Sequence, residues 1–143
     1  MKTFKLNIDG YWRECHKSDV PATSGIYFVY RCTYDSKNRT VCLKEILYIG
    51  QAENGKDRVG KHDRYSDFQK ELKDGEELCY SYAEVSKENL DIVENALVFM
   101  QKPRLNDKLK DSYNHEDVEI DIDGQCSCVK MDSYTITNKE ENQ

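Results

Sequence analysis

The sequence predicts an α+β domain, a small antiparallel sheet with helices packed on it. Three observations carry that expectation. Apolar runs of strand character occupy residues 25–33, 40–49 and 78–85. Apolar positions at helical spacing fill residues 57–73, and a second such set runs from Ser86 to Gln101. The order strand, strand, helix, strand, helix then gives the class.

The elements follow from the residues in order. Phe4, Leu6 and Ile8 alternate, Asp9-Gly10 is a favoured two-residue turn, and Tyr11-Trp12-Arg13 returns, so residues 4–15 read as a hairpin. Pro21 and the small residues after it form a linker into the strand at 25–33, which opens with Gly25-Ile26-Tyr27. Its partner at 40–49 closes on Tyr48-Ile49-Gly50. A polar turn at Asp35-Ser36-Lys37-Asn38 makes positions whose numbers sum to about 75 face each other. Tyr27 and Tyr48 become cross-strand neighbours, with Cβ atoms about 5 Å apart. By the same register Cys32 and Cys42 face each other near the hairpin end.

Val59, Tyr65, Phe68 and Leu72 roughly follow helical spacing over 57–73, and Asp74-Gly75 supplies the stop. The strand at 78–85 carries Tyr80 and Tyr82. Ser86 caps the second helix, whose buried stripe is Leu90, Val93, Leu97 and Met100, and Pro103 ends it. Val118, Ile120 and Ile122 alternate, turn at Asp123-Gly124 and return through Cys126 and Cys128 as a second hairpin. The two terminal hairpins either extend the sheet or cover its edges. Residues 138–143 are polar and expected to be disordered.

At 143 residues the chain suits one domain with a real core. Charged residues make up 34 %, and no apolar stretch approaches the roughly 20 residues that span a bilayer. The N-terminus alternates instead of forming a continuous apolar core, so a cytoplasmic protein with no membrane partner is the expectation. Six cysteines then read as reduced apolar fillers, since Cys126-Ser127-Cys128 lacks a zinc spacing.

The net charge of −6 is unevenly spread. Residues 111–143 hold nine acids and two bases, whereas residues 1–110 are near neutral at +1. Lys56, Arg58, Lys61, His62 and Arg64 form a local basic cluster interrupted by Asp57 and Asp63. A strongly basic surface, the mark of a tight nonspecific phosphate binder, is missing.

Around the tyrosines stand further candidates. Arg58 and His62 are four apart near the start of the first helix, hence on one face. Glu94 lies beside the apolar stripe of the second helix, and Asn106 follows Pro103. Both tripeptides, Gln51 after the second, the Arg58-x-x-x-His62 spacing and the Glu94 helix running into Lys102-Pro103-Arg104-Leu105-Asn106 together resemble the GIY-YIG endonuclease superfamily. The resemblance covers residues 25–106. Taken singly, each residue also suits a structural role: this chain has ten tyrosines, and polar helix faces are common.

The resemblance implies a three-stranded antiparallel sheet flanked by helices over 25–106, to which the residues themselves add an N-terminal hairpin extension at 1–20 and an acidic one at 111–137. The resemblance also implies a divalent-metal-dependent endonuclease that hydrolyses DNA. Phosphodiester cleavage by water needs a nucleophile, a sink for the charge of the transition state and help for the leaving oxygen. Glu94 matches the family's single protein ligand to Mg²⁺ or Mn²⁺. Tyr27 matches the general base and Tyr48 the group that positions water or phosphate. Arg58 matches the phosphate grip, with His62 supporting the tyrosine or relaying a proton. Asn106 would orient substrate or Glu94, and Lys56 and Lys61 are lesser candidates for contacts to backbone phosphates. The twenty residues between the tripeptides are long for the family, and no recognition module is appended, so a protein partner that supplies DNA recognition enters the expectation. The alternative is a catalytically weak module that binds nucleic acid or a protein.

Overall fold

The computed structural model describes residues 1–138. It corrects the fold class. In place of a small three-stranded sheet flanked by helices and two separate hairpins, one six-stranded mixed sheet curls into a half-barrel, and helices are few and short. The strands are β1 (Lys2–Arg13), β2 (Gly25–Asp35), β3 (Thr40–Ala52), β4 (Glu77–Glu84), β5 (Val118–Gly124) and β6 (Ser133–Ile136), in the spatial order β3-β2-β4-β1-β5-β6. The helices are α1 (Gly55–Gly60), α2 (Tyr65–Lys70) and α3 (Leu90–Gln101).

The N-terminal hairpin does not form. Asp9-Gly10 lies inside β1, which changes partner there instead of turning back. Lys2–Ile8 pairs in parallel with β5, and Ile8–Arg13 pairs antiparallel with β4. An irregularity between Gly10 and Trp12 takes up the kink, a bulge where the residues alone read as a turn. The C-terminal hairpin does form, but β5 pairs with β6, so its return runs through residues 133–136 and not through Cys126 and Cys128.

β2 lies between β3 and β4 with Gly25–Tyr30 buried on both faces, and its side chains divide by alternation. Ile26, Phe28, Tyr30 and Cys32 join α3, Ile120 and Tyr134 in one apolar cluster. Tyr27 and Val29 join Val59, Phe68, Tyr80 and Tyr82 in the other, under α1 and α2. α3 buries Leu90, Val93 and Leu97 as expected, but also Ile92, Ala96 and Val98, while Met100 is only partly covered. Ser86 makes no capping bond; a short 3-10 turn at Lys87–Asn89 leads into α3 instead.

The single helix expected at 57–73 is two helices. Between them the chain leaves helical geometry at Lys61, and this break turns His62 inward until it is 8 % exposed. The β2–β3 register also differs from the simple hairpin. Position numbers sum to 75 only near the turn, as at Cys32 with Leu43 and Thr33 with Cys42. Irregularities between Val29 and Tyr30 and between Arg31 and Cys32 each add one β3 residue, so Tyr27 pairs with Gly50 and Tyr48 with Val29. The two cysteines are therefore not opposite each other.

Asn138 is held by the Asp117 carboxylate and the His115 carbonyl, and the rest of the expected disordered end lies outside the described residues. Among the described residues no helix is long and apolar enough to cross a membrane.

Candidate active site

Tyr27 and Tyr48 are diagonal neighbours on one face of the β2–β3 ladder. Their rings stack with centroids 6.1 Å apart and planes 22° from parallel. Tyr27 is 1 % exposed, and it lies where a Cβ on Gly50 would stand, 2.3 Å from the phenol oxygen. The glycine of the second tripeptide is thus the space that lets the tyrosine of the first lie flat on the sheet. Gly25 does the same for Tyr82, whose ring would meet an added Cβ at 2.8 Å.

His62 completes an aromatic box. Its ring is edge-on to Tyr27 and Tyr48, both at 5.4 Å, and tilted on Phe68 at 4.9 Å. The Arg64 backbone N–H donates to Nδ1 at 3.0 Å, so the proton of the neutral ring belongs on Nε2. Nε2–H then donates to the Tyr27 oxygen at 2.7 Å. Burial, helped by the Arg58 charge, pushes the His62 pKa down to about 4, which keeps the ring neutral near pH 7. Burial first, then Tyr48, raises the Tyr27 pKa well above that of a free phenol, although Arg58 pulls the other way. Tyr27 is therefore a neutral phenol in the free protein.

Arg58, on α1, interacts with the Tyr27 oxygen and pairs with Asp63 at 2.8 Å. Arg58 and His62 do converge, but through the break after α1 and not through one helix face. Arg64, to which the residues alone assigned no role, sits over the Tyr48 ring at 5.4 Å and donates to the Leu105 carbonyl at 2.5 Å. It also pairs with Asp67 and Asp107. Its only sequence signal was membership of the basic cluster.

Glu94, on α3, is clamped by Gln51. The Gln51 backbone N–H donates to one carboxylate oxygen at 3.1 Å and its side-chain amide to the other at 2.8 Å. The same amide reaches Asp91 at 2.8 Å. Burial raises the Glu94 pKa, against the two Gln51 bonds that lower it. Glu94 adds its field to both Tyr27 and Tyr48. It lines a cleft with Tyr48, Arg64, Asn106, Asp107 and Lys108.

Asn106 is bonded to the backbone of β3. Its amide donates to the Ile49 carbonyl at 2.8 Å and accepts from the Ile49 N–H at 3.0 Å. With Leu105 N–H on the Leu47 carbonyl at 3.1 Å, it fastens the segment after α3 to the edge of β3. Lys56 and Lys61 line a separate recess beside Lys17 and Ser18.

Among the described residues no three or more His, Cys, Asp or Glu side chains gather to hold a metal ion. Glu94 fits a lone-ligand site: each of its oxygens accepts one bond from Gln51 and keeps a further lone pair. A hard ion that retains most of its waters suits such a ligand.

No family model matches the chain, and neither a curated protein nor a solved structure does. The functional argument rests on the residues and their geometry.

Proposed function

We propose that the protein is a divalent-metal-dependent hydrolase of phosphodiester bonds in DNA, of the GIY-YIG type. One observation supports this above the others: Tyr27, Tyr48, Arg58, His62 and Glu94, spread over two strands, two helices and a loop, act on one another at one end of the β2–β3 ladder.

In this reading Arg58 takes the scissile phosphate. Its present partner Asp63 is largely exposed, so that ion pair is weak and readily exchanged. A guanidinium then offers paired bonds to the phosphate oxygens. His62, proton on Nε2, fixes the orientation of the Tyr27 phenol. Tyr27 accepts a proton from the attacking water while its own phenolic proton passes to a phosphate oxygen. This relay suits a phenol whose raised pKa disfavours the free phenolate. Tyr48, stacked on Tyr27, shapes the wall of the cleft. Glu94 would hold Mg²⁺ or Mn²⁺, which supplies charge stabilisation and an acidified water when bound.

Incubation of the protein with plasmid or branched DNA and Mg²⁺ or Mn²⁺ should give nicks or breaks that Glu94→Ala abolishes. Cleavage that survives the substitution overturns the assignment. A second reading, a module that binds DNA or a protein without efficient turnover, draws on the pairing of both site arginines with acids, Arg58 with Asp63 and Arg64 with Asp67 and Asp107. It predicts binding that survives Glu94→Ala and no turnover with any metal.

A further inference from the structure

The arginines of the site are neutralised locally, and the chain as a whole is acidic at −6. Cations free of carboxylates collect elsewhere. A recess of about 420 Å³ is lined by Lys44, Lys102, Arg104, Lys110 and Lys130, with Glu45 as its one acid. Glu45 is already engaged by Arg31 and Arg104, and Arg104 also reaches Glu71. The four lysines enter no ion pair among the described residues.

They come from four separate parts of the chain. Lys44 lies on β3, and Lys102 is the left-handed residue that closes α3. Lys110 lies in the loop beyond, and Lys130 in the connection from β5 to β6. Two are held in place. Lys102 lies over the Phe99 ring at 4.5 Å and donates to the Lys110 carbonyl. The Lys130 backbone N–H donates to the buried Gln101 side chain at 2.7 Å. Residues 111–143 contain only two bases, and Lys130, the one within the described residues, is the one the acidic tail delivers to this recess. Like charges gathered by independent segments repel, so their convergence calls for an anion.

The recess and the candidate site both border β3, the recess at Lys44 to Ile46 and the cleft at Tyr48. Lys44 and Tyr48 are four residues apart on that strand, up to about 13 Å at ~3.3 Å per residue. A DNA strand covers that distance in about four nucleotides at ~3.4 Å each. The segment from Pro103 to Asn106, fastened to the β3 edge, separates the recess from the Tyr48–Glu94 cleft, with Pro103 and Arg104 lining one and Asn106 the other. We propose that Lys44, Lys102, Lys110 and Lys130 form a phosphate-binding track for the DNA strand that leaves the Tyr48–Glu94 cleft. The track rests on the DNA-hydrolase reading for its ligand, and it adds a grip on the backbone beyond the scissile phosphate.

The test measures binding of a fluorescent DNA duplex by full-length Glu94→Ala protein without divalent metal, across a salt series. Lys44→Gln/Lys110→Gln/Lys130→Gln is compared with Lys5→Gln/Lys37→Gln/Lys73→Gln, which removes the same charge elsewhere. The expected result is a loss of affinity on the order of 10-fold or more for the first triple only, with the salt slope reduced by about one per lysine. Equal losses in both triples, or none in the first, overturn the track, as does an absence of DNA binding altogether. The two readings fail separately. Cleavage of plasmid by the wild type with track-independent binding sinks the track alone; track-dependent binding without cleavage under any metal sinks the hydrolase alone.

Discussion

His62 Nε2 lies 2.7 Å from the Tyr27 oxygen while His62 Nδ1 accepts the Arg64 backbone N–H, so the imidazole is a fixed donor to the phenol. This relationship sets the protonation state of the site, and it can be measured. Nitrogen shifts of His62 at pH 7 should show the Nε2–H tautomer, and the ring should stay neutral down to about pH 4. A midpoint above pH 6 contradicts the buried, hydrogen-bonded ring.

The depressed pKa also makes stability depend on acid. In the unfolded chain His62 takes up a proton below about pH 6.5, whereas in the folded protein it does so only near pH 4. Stability is unaffected above the unfolded value and falls as pH drops between the two, by up to about 3 kcal/mol. Urea midpoints at pH 7 and pH 4.5 should therefore converge in His62→Gln relative to the wild type, whatever the absolute cost of the substitution.

Tyr27→Phe leaves the His62 Nε2–H buried without its acceptor. It should cost about 1–3 kcal/mol in denaturant unfolding and remove DNA cleavage at saturating substrate. Full stability in this variant argues that the hydrogen bond does not form.

Gly50 and Gly60 make a paired test. A Cβ at Gly50 would stand 2.3 Å from the Tyr27 oxygen, whereas nothing lies within 4 Å of one at Gly60. Gly50→Ala should displace Tyr27, destabilise by about 1–3 kcal/mol and abolish activity. Gly60→Ala, on α1, should be neutral or stabilise by about 0.5–1 kcal/mol. Thermal melts and cleavage rates of the two variants suffice.

Asn106→Ala separates a brace from a substrate contact. Losing both amide bonds to Ile49 should lower stability by about 1–3 kcal/mol with little change in DNA affinity when binding is measured well below the melting temperature. A large affinity loss in a stable variant would assign Asn106 to the substrate instead.

Gln51→Ala addresses the carboxylate. It removes a side-chain donor that lowers the Glu94 pKa, so Glu94 should protonate at a higher pH. The acid limb of the pH–rate profile should then move upward, toward neutrality. An unmoved limb means that another group controls it.

What the residues alone revealed follows a physical pattern. β2, β3 and β4 were legible because each is an apolar run of strand character whose ends are marked by glycine and charge. The Tyr27–Tyr48 proximity was legible, but its geometry was not. Two extra β3 residues turn a direct pair into a diagonal one, and a bulge leaves no local signature when both flanking runs are apolar. Asp9-Gly10 misled for the opposite reason: a strong local turn signal was overridden by the pairing of Lys2–Ile8 with a strand from the far end of the chain. His62 was found for its spacing from Arg58, yet it reaches Tyr27 because the helix breaks before it. The Arg64 bond to Leu105 and the Gln51 clamp on Glu94 join distant segments, so basic character and a place after the tripeptide were all the sequence could show of them.

The partner change in β1 has a consequence for synthesis. Lys2–Ile8 leaves the ribosome well before β5, its parallel neighbour. Every residue of the candidate site is translated while that half of β1 still lacks a neighbour. Closing so long a loop costs chain entropy before any contact rewards it, which slows folding. The nascent chain thus carries Lys2–Ile8 without its parallel neighbour, an open strand edge, until β5 has been made.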